Sequence, residues 1–333
     1  IMRKKKLIVF VKNKLITIDT VLPILLEMKM RYSIPSEIVV FDQMAHEGIS
    51  KNVVIRDLIK YVGKETFINK WKAAIIFDRI YKLFTLFRLL LHMINGAKII
   101  HFGHLNIWPL KIFALLFNSR IFQMQSDSYN FNFKGIEHGV YPPPVGLNIV
   151  FFYKNIKNTI FSQVGNEKKL YSFGETRTRK IWVHYMNSKS NYYLNKYHKD
   201  IDFSKGAIVF ILGAIDAYPH KKALFHKTIE SLSVLDSKIP VLLKPHTYTE
   251  IDTVTSAISD DSNFHITYLH PSILCTIAKV FIGNNFSNTF ADAHSFGVPT
   301  IEYSHYDKET IKRTKGHSID EQFVTYFNNN NNK

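Results

Sequence analysis

Cysteine is almost absent from this sequence. One residue in 333, Cys275, carries a thiol, so an internal disulfide and any multi-cysteine zinc site are excluded and the chain suits a reducing compartment. The thiol is expected to lie in a core. Long apolar runs are missing too, since none reaches the roughly 18 to 20 residues of a membrane span. The opening Ile1-Met2-Arg3-Lys4-Lys5-Lys6 leads into a strand-like LIVFV and shows no signal-type apolar region with a small-residue cleavage site. A cytoplasmic location is expected. Acidic residues are few: 27 Asp and Glu stand against 43 Lys and Arg, a formal net charge of +16, and that excess draws the protein toward polyanions. Nucleic acid, anionic lipid and phosphorylated small molecules all qualify. There is no zinc-finger spacing, no RNP-type aromatic motif and no long basic run, which places nucleic acid last and leaves a membrane surface or a nucleotide-linked substrate.

What is present is an alternation of strand and helix signals. A chain of this length should hold about two domains. In the first half, strands are expected at residues 7–11, 37–41, 98–102, 121–125 and 181–185, with helices at 16–30, 107–118 and 188–197. Residues 151–178 are polar and poorly periodic and read as surface structure. Residues 70–97 are dense in apolar and basic side chains, among them Lys72, Arg79, Lys82 and Arg88. They read either as a core helix with snorkelling cations or as a helix lying on an anionic bilayer. The pattern restarts near residue 200 with strands at 207–212, 240–243, 264–268, 280–282 and 298–302 and helices at 220–235, 272–278 and 288–295. A five-asparagine run, Asn328 to Asn332, ends in a tail expected to be disordered. The expected division is 1–200, 201–327 and the tail 328–333. The fold class is α/β: two Rossmann-like doubly wound domains facing a cleft.

The polar residues fall where such folds bind ligands, just past strands or on loops. In the first half these are Gly103-His104 and Glu137-His138, the latter beside Gly139 and ahead of Pro142-Pro143-Pro144. A carboxylate and an imidazole side by side on a rigid loop can exchange protons near neutral pH, although the plainer reading is a turn with two exposed polar residues. In the second half they are Gly213 and Asp216, Lys244-Pro245-His246, and Asn285 with Ser287-Asn288-Thr289. The last group opens a helix between two strands, where unpaired N–H groups suit a phosphate, while the same residue types also cap helices in general.

A strand ending in Lys244-Pro245-His246, then a βαβ unit holding Ser287-Asn288-Thr289 and closing on Gly297-Val298-Pro299-Thr300-Ile301-Glu302, resembles the C-terminal half of GT-B glycosyltransferases of bacterial surface polysaccharide synthesis. The resemblance covers about the last 130 residues; the first half joins mainly through Ile136-Glu137-His138-Gly139. Within that group the chain looks most like the users of CMP-activated acidic sugars, the retaining β-Kdo transferases and bacterial sialyltransferases. The resemblance implies a CMP-Kdo-type donor with its phosphate on His246 and Ser287 to Thr289, and a Glu, Asp, His order met by Glu137, Asp216 and His246. It then implies catalytic Glu137, Asp216 and His138; a donor site of Lys244, His246, Gly213, Asn285, Ser287, Asn288 and Thr289; and an acceptor side at Gly103 and His104. No metal and no cofactor besides the donor are expected, on the reading that the chain offers no Asp-x-Asp sequence and that helix N–H groups, His246 and Lys244 can meet the phosphate charge.

Expected partners are a nucleotide sugar, a glycan or lipid-linked saccharide acceptor in lipopolysaccharide, capsule or O-antigen synthesis, and an anionic inner-leaflet surface, with no nucleic acid. Two other classes stay open. An inverting transferase using a UDP- or other NDP-sugar, or a sugar-nucleotide epimerase, has the same architecture, and a non-enzymatic basic protein would share the charge.

Overall fold

The computed structural model describes residues 5–11, 15–69, 75–124, 145–151, 168–172, 174–213, 215–217, 219–235, 239–246, 249–259, 263–284, 287 and 289–304. The chain divides into two compact units, Ile1–Trp182 and Val183–Lys333. Each is an α/β unit built on one parallel sheet.

The first unit carries β1 (Leu7–Val11), β2 (Ser36–Val40), β3 (Gly63–Phe67), β4 (Lys98–His101), β5 (Ile121–Met124), β6 (Asn148–Phe151) and β7 (Lys169–Ser172), in the sheet order β3-β2-β1-β4-β5-β6-β7. β1 reads LIVFV and is buried along its whole length, as a strand covered on both faces must be. Its crossover to β2 is α1 (Leu15–Tyr32), in which Ile18, Val21, Leu22, Leu25 and Leu26 recur at helical spacing and are all buried. Two helices, α2 (Gln43–Lys51) and α3 (Val53–Val62), then lead into β3. Gly63 opens that strand because a Cβ there would lie 1.8 Å from the Ser36 carbonyl oxygen. A 20-residue helix, α4 (Ile75–Ile94), precedes β4, and α5 (Lys111–Phe117) precedes β5.

The second unit carries β8 (Ala207–Ile211), β9 (Val241–Lys244), β10 (Phe264–Ile266), β11 (Ala278–Gly283) and β12 (Thr300–Glu302), in the order β10-β9-β8-β11-β12. Its helices are α7 (Pro219–Ser233), α8 (Ile251–Thr255), α9 (Pro271–Leu274) and α10 (Thr289–Ser295). Phe210, Phe225, Leu243, Val254 and Ile282 belong to its core, and Cys275 is buried.

Several sequence expectations need correction. Residues 181–185 are not a strand: they belong to α6 (Lys180–Tyr197), where Trp182, Met186, Ser190, Tyr193 and Leu194 bury one helical face. The division between the units falls inside this helix, whereas the sequence reading puts the boundary at its end, near residue 200. The stretch 151–178, read as surface structure, contributes the end of β6 and the whole of β7, whose short, half-polar sequence KLYS suits the edge strand of a wide sheet. The tail from 328 lies outside the described residues.

Among the described residues of the first unit, Glu37 is a carboxylate with no solvent exposure. The Glu37 side chain is fully enclosed on β2, with Lys6 Nζ 2.6 Å and Arg88 Nη2 2.5 Å from its oxygens, the Thr66 hydroxyl donating at 2.8 Å and Lys64 Nζ at 3.6 Å. Burial alone pushes its pKa up; the hydrogen bonds from Lys6 and Thr66 and the charges of Lys6 and Arg88 override that and bring it down to about 2. Removing the carboxylate leaves three cations around one buried point, so Glu37→Gln should lower stability by about 3 to 5 kcal/mol. Acid should act in the same direction. A carboxyl moved from 4.5 to about 2 on folding contributes roughly 3 kcal/mol, fully present above its unfolded pKa and lost as the pH falls toward 2. Urea unfolding at neutral pH and near pH 3 checks both, and a variant with the wild-type acid dependence would remove Glu37 as its source.

Candidate functional site

In the second unit the chain enters the sheet at its middle strand, β8, runs outward to β9 and β10, then returns to the other side of β8 with β11 and β12. The strand order therefore reverses between β8 and β11, and the loops leaving those two strands diverge there to open a crevice. Register places Ile211 of β8 between Lys244 of β9 and Gly283 of β11. Three loop exits thus lie side by side within about 10 Å, two interstrand spacings. They carry Gly213 and Asp216, Lys244 and His246, and Ser287 and Thr289.

Hydrogen bonds stitch the first two exits together. The Thr249 hydroxyl donates to the Gly213 carbonyl at 3.0 Å and accepts from the His246 N–H at 3.1 Å. Asp216 accepts from the Glu250 N–H and from the Thr253 hydroxyl, each at 2.8 Å. Both of its carboxylate oxygens thus hold the start of α8, so the residue pins the loop after β9 to the turn after β8. A carboxylate at a helix start also gains from the helix dipole, and Asp216 does so on α8 and not on the helix that follows it in sequence.

On the other side of β8, Ser287 Oγ lies 2.7 Å from the Thr289 hydroxyl and accepts from the Thr289 N–H at 3.3 Å. That is a capping arrangement. The Ser272 hydroxyl donates to the buried Asp292 carboxylate at 2.8 Å, which fastens α10 to α9. Gly297, with φ of 70°, ends the helix in the left-handed conformation that glycine adopts without strain.

His246 keeps solvent access. Packing around its ring, then the charges of Lys244 and Lys221, hold its pKa below the ordinary imidazole value. The ring is therefore neutral at pH 7 in a positive setting, a state that an arriving anion reverses.

Sequence reasoning missed three residues of this edge. Thr249 braces the loops, Lys221 adds charge from α7, and Asn284 donates from one amide nitrogen to the Thr228 hydroxyl at 2.8 Å and to the Tyr303 carbonyl at 3.0 Å. Asn284 carried a signal, as it is the first polar residue after a buried strand; nothing local marked the other two. In the first unit Gly103 and His104 do follow β4, beside the reversal of strand order between β1 and β4. The His104 ring stacks on Phe41 with centroids 5.2 Å apart. Glu137, His138, Asn285 and Asn288 lie outside the described residues.

Among the described residues no group of three or more His, Cys, Asp or Glu could hold a metal ion. An Asp-x-Asp sequence, overlooked in the metal-free expectation, does occur at Asp200-Ile201-Asp202. Asp202 is turned into a local bend, accepting from the Ser204 N–H at 2.8 Å and its hydroxyl at 2.9 Å. No described helix is long and apolar enough to cross a membrane.

No protein-family model matches the chain, and a search of curated proteins gives no match. Solved structures do match. A UDP-GlcNAc 2-epimerase from Methanocaldococcus jannaschii superposes with a TM-score of 0.58 at 11% identity, covering 92% of this chain and 86% of the other. The S. aureus MnaA–UDP structure gives 0.54 at 12% identity over 97% and 90% of the two chains. Phytolacca americana UGT2, complexed with UDP-2-fluoro-glucose and pterostilbene, gives 0.54 at 9% identity over 94% and 83%. The likeness is one of fold: two Rossmann-like α/β units in one chain, the GT-B architecture.

A prediction follows from His246. An anion bound beside it raises its pKa, so binding takes up a proton, and the contribution of His246 to affinity should grow as the pH falls from about 8 to 6 and vanish at high pH. The affinity difference between wild type and His246→Gln, measured by calorimetry with UDP or CMP across that range, reports the effect. A difference independent of pH would show that the ring does not meet the phosphate.

Proposed function

We propose that this chain is a nucleotide-sugar enzyme and, in the finer reading, a glycosyltransferase that moves Kdo or a related acidic sugar from a CMP-activated donor to a glycan or lipid-linked acceptor of lipopolysaccharide, capsule or O-antigen synthesis. The observation that carries it is the gathering of Gly213, Lys244, His246, Ser287 and Thr289 at the switch point of the second sheet, where the lysines Lys244 and Lys221 surround an imidazole beside a helix start. A phosphate there meets Lys244 and His246 as donors of charge-assisted hydrogen bonds, with Asn285 and Asn288 assigned to the same donor site. No metal is required in this reading. Gly103 and His104 take the acceptor side, and Glu137 with His138 the proton transfer at the sugar.

Asp216 has a narrower part. As a nucleophile on the anomeric carbon it would give the two-step route that retains configuration. Its two hydrogen bonds to α8 support a brace instead, which leaves Glu137 as general base and an inverting transferase using a UDP- or other NDP-sugar within the proposal. A second reading, sugar-nucleotide epimerisation, is favoured by the whole-chain likeness to structures described as UDP-GlcNAc 2-epimerases. It needs an acid/base pair but no acceptor. In either case the protein works at the cytoplasmic face, peripherally where the acceptor is lipid-linked.

A thermal-shift panel of CMP, CDP, UDP and GDP tests the shared part, since a ligand that binds only the folded state raises Tm. His246→Ala should weaken the effective nucleotide by about 1.5–3 kcal/mol, and EDTA should leave turnover nearly unchanged. Incubation with CMP-Kdo or UDP-GlcNAc then separates the readings: an altered sugar without acceptor sinks the transferase, and product only with acceptor sinks the epimerase. No shift with any nucleotide would overturn both.

A further inference from the structure

The first unit has an apolar face that its fold leaves open. On α4 the side chains of Leu89 and Met93 are buried in the core, while Ile76 and Phe77 are 73% and 67% exposed, Ile80 and Leu83 59% and 67%, and Phe84 and Phe87 62% and 60%. At about 100° per residue these fall in one arc, which Leu91 and Ile94 continue to the helix end. Such a stripe, solvated over five turns, is larger than scattered surface apolar residues explain.

Cations border the stripe on both sides. Arg79 is exposed on one flank, and on the other Arg88 faces a cavity of about 610 Å³ whose lining includes Lys64, Thr66, Tyr81, Phe84 and Thr85 together with His46, Glu65 and Phe67. His46 Nδ1 lies 2.6 Å from the Glu65 carboxylate, which is the acidic group on the cavity lining. The remaining charges do not balance: Lys6, Lys64 and Arg88 share the single carboxylate of Glu37. Burial holds the Lys64 pKa below its ordinary value; Glu37 pulls it up, and Arg88 and Lys6 push it down again. Phe84 belongs both to the stripe and to the cavity wall, so the cationic hollow opens directly onto the apolar face.

We propose that this face docks on a membrane, the cavity taking the phosphate headgroup of an anionic phospholipid and the α4 stripe entering the acyl region. A headgroup phosphate supplies the negative charge the cavity lacks, and its chains leave along Phe84 toward Ile80, Phe77 and Phe87. Neither a soluble anion nor a neutral bilayer accounts for both halves of the surface. The site bears on the acceptor side of the proposed function without resting on the nucleotide reading.

Flotation of the full chain with vesicles tests it. Wild type should float with phosphatidylcholine vesicles that carry phosphatidylglycerol, and not with phosphatidylcholine alone. Phe77→Ser/Ile80→Ser, both on the solvent side, should lose at least about tenfold in affinity, and Lys64→Gln about fivefold at low salt, each with an unchanged melting curve. Equal binding to both vesicle types, wild-type binding by either variant, or no flotation at all overturns the proposal. So does a dimer in light scattering that Phe77→Ser/Ile80→Ser converts to monomer without any vesicle binding, since a second copy would then cover the stripe. The nucleotide thermal shift is unaffected by any of these outcomes, which keeps the two proposals separable.

Discussion

Parallel pairing on both sides of β8 is the constraint on which the second unit depends. Parallel neighbours cannot be joined by a hairpin, so every connection must cross a face of the sheet and every strand must discharge its loop at the same edge. That edge therefore collects residues far apart in sequence, from Gly213 to Thr289, without any contact among them having to be specified one by one. Register then sets the spacing, since Ile211 aligned with Lys244 and with Gly283 brings the three exits level. The hydrogen bonds of Thr249 and Asp216 work on top of this. They fix the loops that the pairing has already brought together.

The first unit uses the same topology and adds a buried charge. Glu37 sits between Ser36 and the apolar run Ile38-Val39-Val40 on β2, and its desolvation cost is offset only because Lys6, Arg88 and Thr66 converge on it. The arrangement joins β2, β3 and α4 through one carboxylate. It also leaves more cationic than anionic charge at the sheet edge, so a residue that holds the interior together sets the electrostatic character of the neighbouring surface.

Most of the strands were legible because parallel strands buried on both faces read as continuous apolar runs, as LIVFV and AIVFI do, bounded by glycine or polar turns. The misses have physical reasons. Lys180–Tyr197 was split because Ile181, Trp182 and Val183 imitate a strand over five residues, while its helical burial shows only across Trp182, Met186, Ser190 and Tyr193. β3 and β7, with sequences GKETF and KLYS, lie at the two edges of the sheet, where one side lacks a neighbour and apolar density is not demanded. At the candidate site the residues ending strands could be found from the sequence, since position alone singles them out. Thr249 and Lys221 could not, because their part depends on which loop lies opposite, and that is set by pairing between strands some thirty residues apart.

Asp216 shows how this bears on chemistry. A carboxylate that attacks an anomeric carbon needs an oxygen free of strong donors, since each hydrogen bond occupies a lone pair and fixes the oxygen's direction. Here one oxygen accepts a backbone N–H and the other a threonine hydroxyl, both from the segment that also orients His246. The same two bonds that would weaken Asp216 as a nucleophile make it effective at holding the β9 loop, because a charged acceptor at a helix start gains from the dipole as well as from the N–H. Holding the loop of His246 beside Lys244 sets a fixed cation next to an imidazole that is neutral until an anion raises its pKa, so the loop geometry is in place before a ligand arrives. Asp216 thus acts most through the start of α8, which it holds against the turn after β8 on the far side of the loop that carries His246.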